Sequence, residues 1–527
     1  MIMTDYRTLK LPMRGSYRSA HWLTAERHLL LSVHPKGHVI RRDLGHESEP
    51  MPPNIVLINC DDLGYGDLGC YGSELHETPA LDGLAAEGAL FTDFYMASSV
   101  CSPSRAAMLT GSYPTRIGFG GEPMSNMRVL FPGQGVGLHP DEVTIASMLS
   151  DAGYATLAVG KWHCGDQPEF LPTNHGFDAW FGLPYSNDMG RQAAAAGQPT
   201  LDELNQRIQA AGMDFELKWP PLPLMEGNEL IECQPDQASL TRRYVDRSTQ
   251  FIREHSETPF FLYLAHMYVH VPIYVEDRFR EQSRNGAYGA AVASIDWATA
   301  VIVEELEQQG LSNNTIIIFT SDNGALAPGP DGAGSNAPLR AAKGTTWEGG
   351  QRVPCLIRWP EQIAPGTRVT DMTSALDFLP TLGRLSGAPV PASGLLDGTD
   401  ISELIGLDGP PVDADRCFFF IGGANIEAVR IGRWKLHVRK GGTELCELYD
   451  LASDVGETVD MSNEHPDIVA EMLACVEAGR IDLGDQASGT VGVGTRPIGR
   501  VDDPVTVSAV DLSDPASLAE YDLPYRG

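Results

Sequence analysis

Positive charge is what this chain has least of. Its 527 residues carry 38 Lys and Arg against 70 Asp and Glu, a formal net charge of −32. Nucleic acid or an anionic membrane would need a basic surface to neutralise phosphate, so neither is expected as a partner. Cysteine is sparse as well. The nine present are an odd number spread thinly along the chain, which does not make a disulfide framework, and most are expected as buried thiols. No run of about 18 apolar residues occurs, so no membrane-spanning helix is expected. The start, "MIMTDYRTLKLPMRGSYRSAHWLTAERHLLLSVHPKG", offers only the short "LLLSV" as an apolar core, which is a poor export signal. The expectation is a cytoplasmic product, or a periplasmic or secreted one if the start is misassigned, because Met51 stands directly before the first well-patterned strand. Residues 1–50 then read as an N-terminal extension.

What is present is apolar residue at 42%, enough for a substantial core. From Asn54 onward, short β-rich runs alternate with helical patterns. "NIVLINC", "YATLAVG" (154–160), "PFFLYLAHM" (259–267), "NTIIIFTS" (314–321) and "VPCLIRW" (353–359) read as strands. Helices are expected at 78–88, 103–110, 143–152, 239–255, 288–309 and 374–386. Several strands are continuous apolar runs, as when both faces of a sheet are covered. The fold class is α/β, a large mixed and mostly parallel sheet sandwiched by helices. After a Pro/Gly-rich stretch around 387–411, "CFFFIG", "EAVRIG", "WKLHV" and "CELYDL" precede a helix near 465–480, a smaller antiparallel sheet plus helix. The expected organisation is a catalytic domain at 51–405, a C-terminal α+β subdomain at 406–483 and an irregular surface tail at 484–527.

In such sheets, ligands sit beyond the carboxyl ends of the strands. The residues there are unusually polar. Asp61 and Asp62 follow the first strand, and Asp322 and Asn323 follow "TIIIFTS". Three carboxylates and an amide, all oxygen donors, suit one hard divalent cation, calcium or magnesium rather than zinc. Taken singly, each pair also reads as a cap or turn, since Asp-Asn-Gly is good turn chemistry. Cationic groups follow strands too: Lys161 and His163 in "VGKWHCG", His266 and His270 in "YLAHMYVHVP", and Lys343 in the glycine-rich "AAKGTTWEGG". A lone lysine is usually solvated and a lone histidine usually packs. Together with a metal site, these groups would bind a tetrahedral oxyanion ester.

"CSPSRAAMLTG" (101–111) puts a thiol where a helix begins. Ser102 reads as the N-cap and Pro103 as the first helical residue, so Cys101 would lie at a positive helix end with Arg105 on the first turn. A buried structural thiol and a thiolate nucleophile are the plainer readings. Neither accounts for the carboxylates, and a hard cation gains little from sulfur, so an oxygen in place of the thiol would suit the site better.

The same stretch resembles the signature of type I sulfatases, in which the cysteine of Cys-x-Pro-x-Arg is oxidised by a separate formylglycine-generating enzyme. The resemblance runs from about Asn54 to Asp460 through "PNIVLINCDDLGYGDLGCYG", "GKWHCG", "HGFDAWFGLPYSND", "TSDNG", "KGTTWEGG" and "ELYDLASDVGE", and is greatest to arylsulfatases of the arylsulfatase A type. It implies metal ligation by Asp61, Asp62, Asp322, Asn323 and an oxygen of modified Cys101. It also implies that Arg105 holds the modified residue, that His163 hydrogen-bonds its second hydroxyl, that Lys161, Ser186 and Lys343 contact the sulfate, and that His270, together with Lys343, protonates the leaving oxygen. His266 is not a motif position and reads as packing. The implied activity is hydrolysis of sulfate monoesters by an aldehyde hydrate. One hydroxyl attacks sulfur, and deprotonation of the other, towards His163, expels sulfate. A serine would have no such second hydroxyl.

Cys164 stands where the family usually has leucine, and "ASDVGETVDMS" departs from the commoner Asp-Pro pattern, which puts in doubt only a local turn. The alternatives are a phosphodiester or phosphonate monoester hydrolase on the same scaffold and a non-catalytic oxyanion-binding homologue. The pocket rim is expected from the insert at 190–235, the loop at 113–140 and the C-terminal unit, with small aryl or carbohydrate sulfates as substrates.

Overall fold

The computed structural model describes residues 21–24, 27–33, 39–43, 51–120, 129–191, 201–210, 219–326, 334–390 and 396–521. The chain divides into two compact units, Met1–Met51 and Pro52–Gly527. In the first, the stretch expected as a plain extension carries a three-stranded antiparallel sheet, His21–Thr24, Arg27–Val33 and Val39–Asp43.

The second unit is built on a ten-stranded sheet. At its centre lie five parallel strands in the order Ala179–Leu183, Ala155–Lys161, Phe260–Ala265, Asn54–Cys60 and Thr315–Ser321. Cys355–Arg358, antiparallel to Thr315–Ser321, extends one edge, followed by Ala89–Phe91 and Thr367–Val369. The other edge ends in an antiparallel hairpin, Pro223–Glu226 with Glu229–Cys233.

The continuous apolar runs follow from burial on both faces. Ile55, Leu57, Ile316 and Ile318 enter one core, while Val56, Ile58, Ile317 and Phe319 enter the core on the opposite face. The helix Gly286–Gln308 is long and apolar enough to cross a membrane by length and composition, yet Ala291, Ile295 and Ile302 are buried in the second core.

Register decides where the chemistry falls. Cys60 pairs with Ser321, and Ala265 pairs with both Asn59 and Gly160, so the strands end level and the next residues share one edge. At that edge Gly160 has φ +102°, and a Cβ there would lie 1.9 Å from the carbonyl oxygen of Ala265. Only glycine permits the close backbone approach that leads into Lys161.

A four-stranded antiparallel sheet, Cys417–Gly422, Asn425–Ile431, Trp434–Lys440 and Thr443–Asp450, belongs to the same unit. The helix Pro466–Leu483 covers it through Met472 and Val476, against Val429, Leu436 and Leu448. Cys417 on the strand and Cys475 on the helix form a disulfide there, and the other seven cysteines are free thiols. Of the other cysteines, Cys60, Cys101, Cys164 and Cys355 are buried.

The described part of the tail, expected as irregular surface chain, has little regular structure but is tied down at several points. Gly499–Arg500 pairs with Val136–Gly137, Val501 donates its N–H to the Gly135 carbonyl at 3.0 Å, and the Gln167 side chain both accepts from and donates to the Val505 backbone. Main-chain hydrogen bonds need no apolar periodicity, so composition hid this strap.

Candidate active site

The carboxyl edge of the five parallel strands gathers the predicted residues. Asp61 and Asp62 continue from Cys60, Lys161 is the last residue of its strand, and Asp322 and Asn323 continue from Ser321. Ser186 lies just past Leu183 and His270 just past Ala265. Facing this edge is the helix Cys101–Thr110, every residue of which is buried, closed by Gly111 at φ 65°. The helix starts two residues earlier than expected. Val100, not Ser102, is its N-cap, and its carbonyl accepts from the Ser104 N–H at 3.2 Å. The Ser102 hydroxyl instead accepts from the Leu130 N–H at 3.0 Å.

Ion pairs knit the edge together. Lys161 Nζ donates to Asp61 Oδ2 and, at 3.2 Å, to the Ser186 hydroxyl. Arg105 Nε donates to Asp322 Oδ2 at 2.8 Å and Nη1 donates to the Lys161 carbonyl at 2.9 Å, while Nη2 lies 3.5 Å from Asp61 Oδ2. Lys343 Nζ reaches Asp62 Oδ1 at 2.7 Å, and His270 Nε2 lies 3.8 Å from Asp62 Oδ2. Asn323 Nδ2 donates to Asp62 Oδ1 at 2.7 Å. Thus Lys161 and Lys343, expected against a sulfate, each also neutralise an expected metal ligand.

Two non-glycine residues here occupy the left-handed region, Asp62 at φ 62° and His163 at φ 60°. Such conformations persist only when the surroundings over-determine them. The Asp62 N–H donates to Asp322 Oδ1 at 3.3 Å, and the His163 N–H donates to the Pro184 carbonyl at 3.1 Å. The His163 tautomer follows from its partner. Nε2 lies 2.9 Å from the Leu130 carbonyl, which can only accept, so Nε2 carries the proton and the buried Nδ1 is a bare acceptor. Burial, then the Lys161 charge, holds this imidazole well below its usual pKa.

The charges explain what the cluster tolerates. Burial would raise Asp61, but Lys161, His270, Arg105 and Lys343 together hold it below the usual carboxylate range. Burial and the neighbouring Asp61 push Asp322 up, against the pull of Arg105 and Lys161. Burial also raises the Cys101 thiol, outweighing Lys161 and Lys343, which disfavours the plain thiolate reading. Both lysines stay charged, since Asp61 for Lys161 and Asp62 for Lys343 outweigh burial.

The donor set fits a hard cation. Ligand atoms of Asp61, Cys101 and Asp322 lie within 4.8 Å of one another, as do those of Asp61, Asp62 and His270. Asp61 Oδ1 and Asn323 Oδ1 are buried without a hydrogen-bond partner among the described residues. Two buried carboxylates at odds in pKa and two orphaned oxygens are what a dication would satisfy.

Several supporting residues escaped sequence reasoning. The Ser104 hydroxyl donates to the Asp322 carbonyl, and the Ser321 hydroxyl accepts from the Leu63 N–H and donates to the Asn323 carbonyl, both at 2.9 Å. Ser104 is a variable position of the signature, so only its helical phase beside Cys101 and Arg105 signalled it. His266, expected to pack, is buried, and burial with the Arg105 charge brings it down to about 3. Of the expected rim, 121–128, 192–200 and 211–218 lie outside the described residues, while the insert's later part is the edge hairpin.

Comparison with known proteins finds similarity along most of the chain. Residues 53–388 match the family model described as Sulfatase, and residues 342–478 match one described as N-sulphoglucosamine sulphohydrolase, C-terminal. The chain is 37% identical to arylsulfatase A of Homo sapiens over 483 residues, covering 86% of this chain and 92% of that protein. It is 39% identical to N-acetylgalactosamine-6-sulfatase of Rattus norvegicus over 399 residues, covering 74% and 72%. The crystal structure of PsFucS1 sulfatase from Pseudoalteromonas sp. superposes with a TM-score of 0.70 at 26% identity, covering 81% of this chain and 89% of that one.

Proposed function

The chain belongs to the sulfatase family and hydrolyses sulfate esters, and from that premise we propose that its nucleophile is a formylglycine hydrate made from Cys101, beside a calcium or magnesium ion held by Asp61, Asp62, Asp322 and Asn323. What supports this reading is the meeting at one sheet edge of Asp61, Asp322 and buried Cys101, whose ligand atoms lie within 4.8 Å of one another, with Asp61 Oδ1 and Asn323 Oδ1, unpartnered among the described residues. The modified residue supplies two hydroxyls on one carbon, and the cation supplies Lewis acidity that makes an oxygen nucleophilic near neutral pH.

The chain's own side chains do the rest. Arg105, anchored on Asp322 and the Lys161 carbonyl, holds the position next to the nucleophile. Lys161, Ser186 and Lys343 offer donors to the sulfate oxygens as charge builds on them, and Lys343 also serves the departing oxygen alongside His270. His163 Nδ1, bare and neutral, takes the proton of the second hydroxyl. His270, its Nδ1 turned to the Val271 carbonyl at 2.5 Å, presents Nε2 to the cluster and protonates the departing oxygen. Small aryl or carbohydrate sulfates are the proposed substrates, and a formylglycine-generating enzyme is the proposed maturation partner.

Paired esters of one phenol test the reaction class. The matured protein is expected to show kcat/KM for 4-nitrophenyl sulfate at least about a hundredfold above that for 4-nitrophenyl phosphate, since each 1.36 kcal/mol of differential transition-state binding is tenfold. Equal or inverted values would move the chain to phosphoryl chemistry.

A further inference from the structure

Of Arg105, Lys161 and Lys343, only Lys343 sits on a loop with neither strand nor helix to fix it. A loop lysine ordinarily keeps much rotamer freedom, which a charge-stabilising group cannot retain. Two main-chain bonds restrain it directly, Lys343 N–H to the Ala325 carbonyl at 3.0 Å and Gly344 N–H to the Ser99 carbonyl at 2.9 Å. The residues that follow are held by the C-terminal sheet. The Thr346 hydroxyl donates to Glu427 Oε2 at 2.7 Å and accepts from Lys440 at 3.0 Å. The Trp347 ring packs on His437 with centroids 4.1 Å apart. The Glu348 N–H donates to Glu457 Oε2 at 2.7 Å.

Glu457 is the hub of this contact. Its Oε1 accepts from Lys435 Nζ at 2.9 Å and from His437 Nε2 at 2.8 Å, and Lys435 also donates to Glu348 Oε1 at 2.9 Å. All four side chains are 0% exposed. Because a carboxylate only accepts, His437 bears its proton on Nε2. Burying such charges is costly unless every partner is in place, so the cluster admits one arrangement of the loop and penalises others.

We propose that Glu457 is a positioning residue for Lys343: through Glu348 and the Thr346–Trp347 segment, the C-terminal sheet sets where the lysine meets the leaving-group oxygen. The inference rests on Lys343 stabilising charge on that oxygen. A group that neutralises leaving-group charge matters most when the leaving group is poor. Loss of its alignment therefore changes the dependence of rate on leaving-group acidity, whereas a smaller fraction of folded enzyme scales all substrates alike.

The test is kcat/KM for a series of aryl sulfates, from 4-nitrophenyl to phenyl, on the matured full-length enzyme and on Lys343→Ala, Glu457→Gln, Thr346→Val and the Lys343→Ala/Glu457→Gln double variant. Glu457→Gln is expected to slow phenyl sulfate about ten- to a hundredfold more than 4-nitrophenyl sulfate, the scale of a roughly 1 Å misplacement. Thr346→Val should steepen the series in the same direction by less. The double variant should be no steeper than Lys343→Ala alone. Should Glu457→Gln not fold, Thr346→Val decides. If Lys343→Ala steepens the series while the other two lower every rate by one common factor, or none, Glu457 only holds the sheet in place and the proposal falls. If Lys343→Ala leaves the slope unchanged, the role assigned to Lys343 falls first, and the proposal with it.

Discussion

Cys101→Ala is expected to lower kcat/KM for any sulfate ester by about 10⁴ or more, the scale seen when a nucleophile is removed and only binding and charge stabilisation remain. Stability should change by no more than about 1 kcal/mol. Alanine is the best helix former, and the position opens a buried helix whose packing rests on Ala106, Met108 and Leu109 rather than on the thiol. Cys101→Ser is the more informative companion. It keeps one oxygen that can attack sulfur but has no second hydroxyl from which His163 could take a proton. The expected outcome is release of at most one equivalent of phenol per enzyme, followed by arrest, read by stopped-flow absorbance. Steady turnover by Cys101→Ser at near wild-type rates would show that expulsion of sulfate does not need the second hydroxyl.

Removing the cation should be nearly as damaging. Chelation is expected to lower kcat by at least about a hundredfold, as does loss of one preorganised electrostatic group. Calcium or magnesium should restore it. A second readout needs no turnover: at a hundredfold excess over Kd, a cation bound only by the folded state adds about 2.7 kcal/mol of stability and so raises Tm. Asp322→Asn is expected to abolish both the Tm rise and the activity. Asp322 holds Arg105 through Nε at 2.8 Å and accepts from the Asp62 N–H, so its charge also orders the neighbouring ligand. An unchanged Tm response in Asp322→Asn would place the cation elsewhere.

Much of this site was legible in the sequence because its residues follow strands that any apolar pattern reveals. "NIVLINC" and "TIIIFTS" could hardly be anything but covered strands, and parallel register then forces Asp61 and Asp322 to one edge. What stayed hidden depends on atoms or partners without a letter of their own. The short strand Ala179–Leu183, inside an already quoted motif, owes its place to pairing with Ala155–Lys161 rather than to its five residues. The Leu130 carbonyl, which sets the His163 tautomer, is main chain. The helix began at Cys101 and not after Ser102 because the Ser102 hydroxyl had a better use across the site. Most telling is "ASDVGETVDMS". Its departure from the common pattern looked like a local turn, yet Glu457 within it is fully buried and bonded to Lys435, His437 and Glu348. Local sequence reasoning weighs a charged residue in a turn as solvated, and only tertiary contact shows otherwise.

The central claim is that the nucleophile is an oxygen derived from a former thiol at position 101. Tandem mass spectrometry of the peptide holding that residue, from active protein made in its own host, tests it most directly. The account predicts a residue about 18 Da lighter than cysteine, reactive towards hydrazides as an aldehyde is. An intact Cys101 thiol throughout a preparation that hydrolyses sulfate esters at full rate would contradict it.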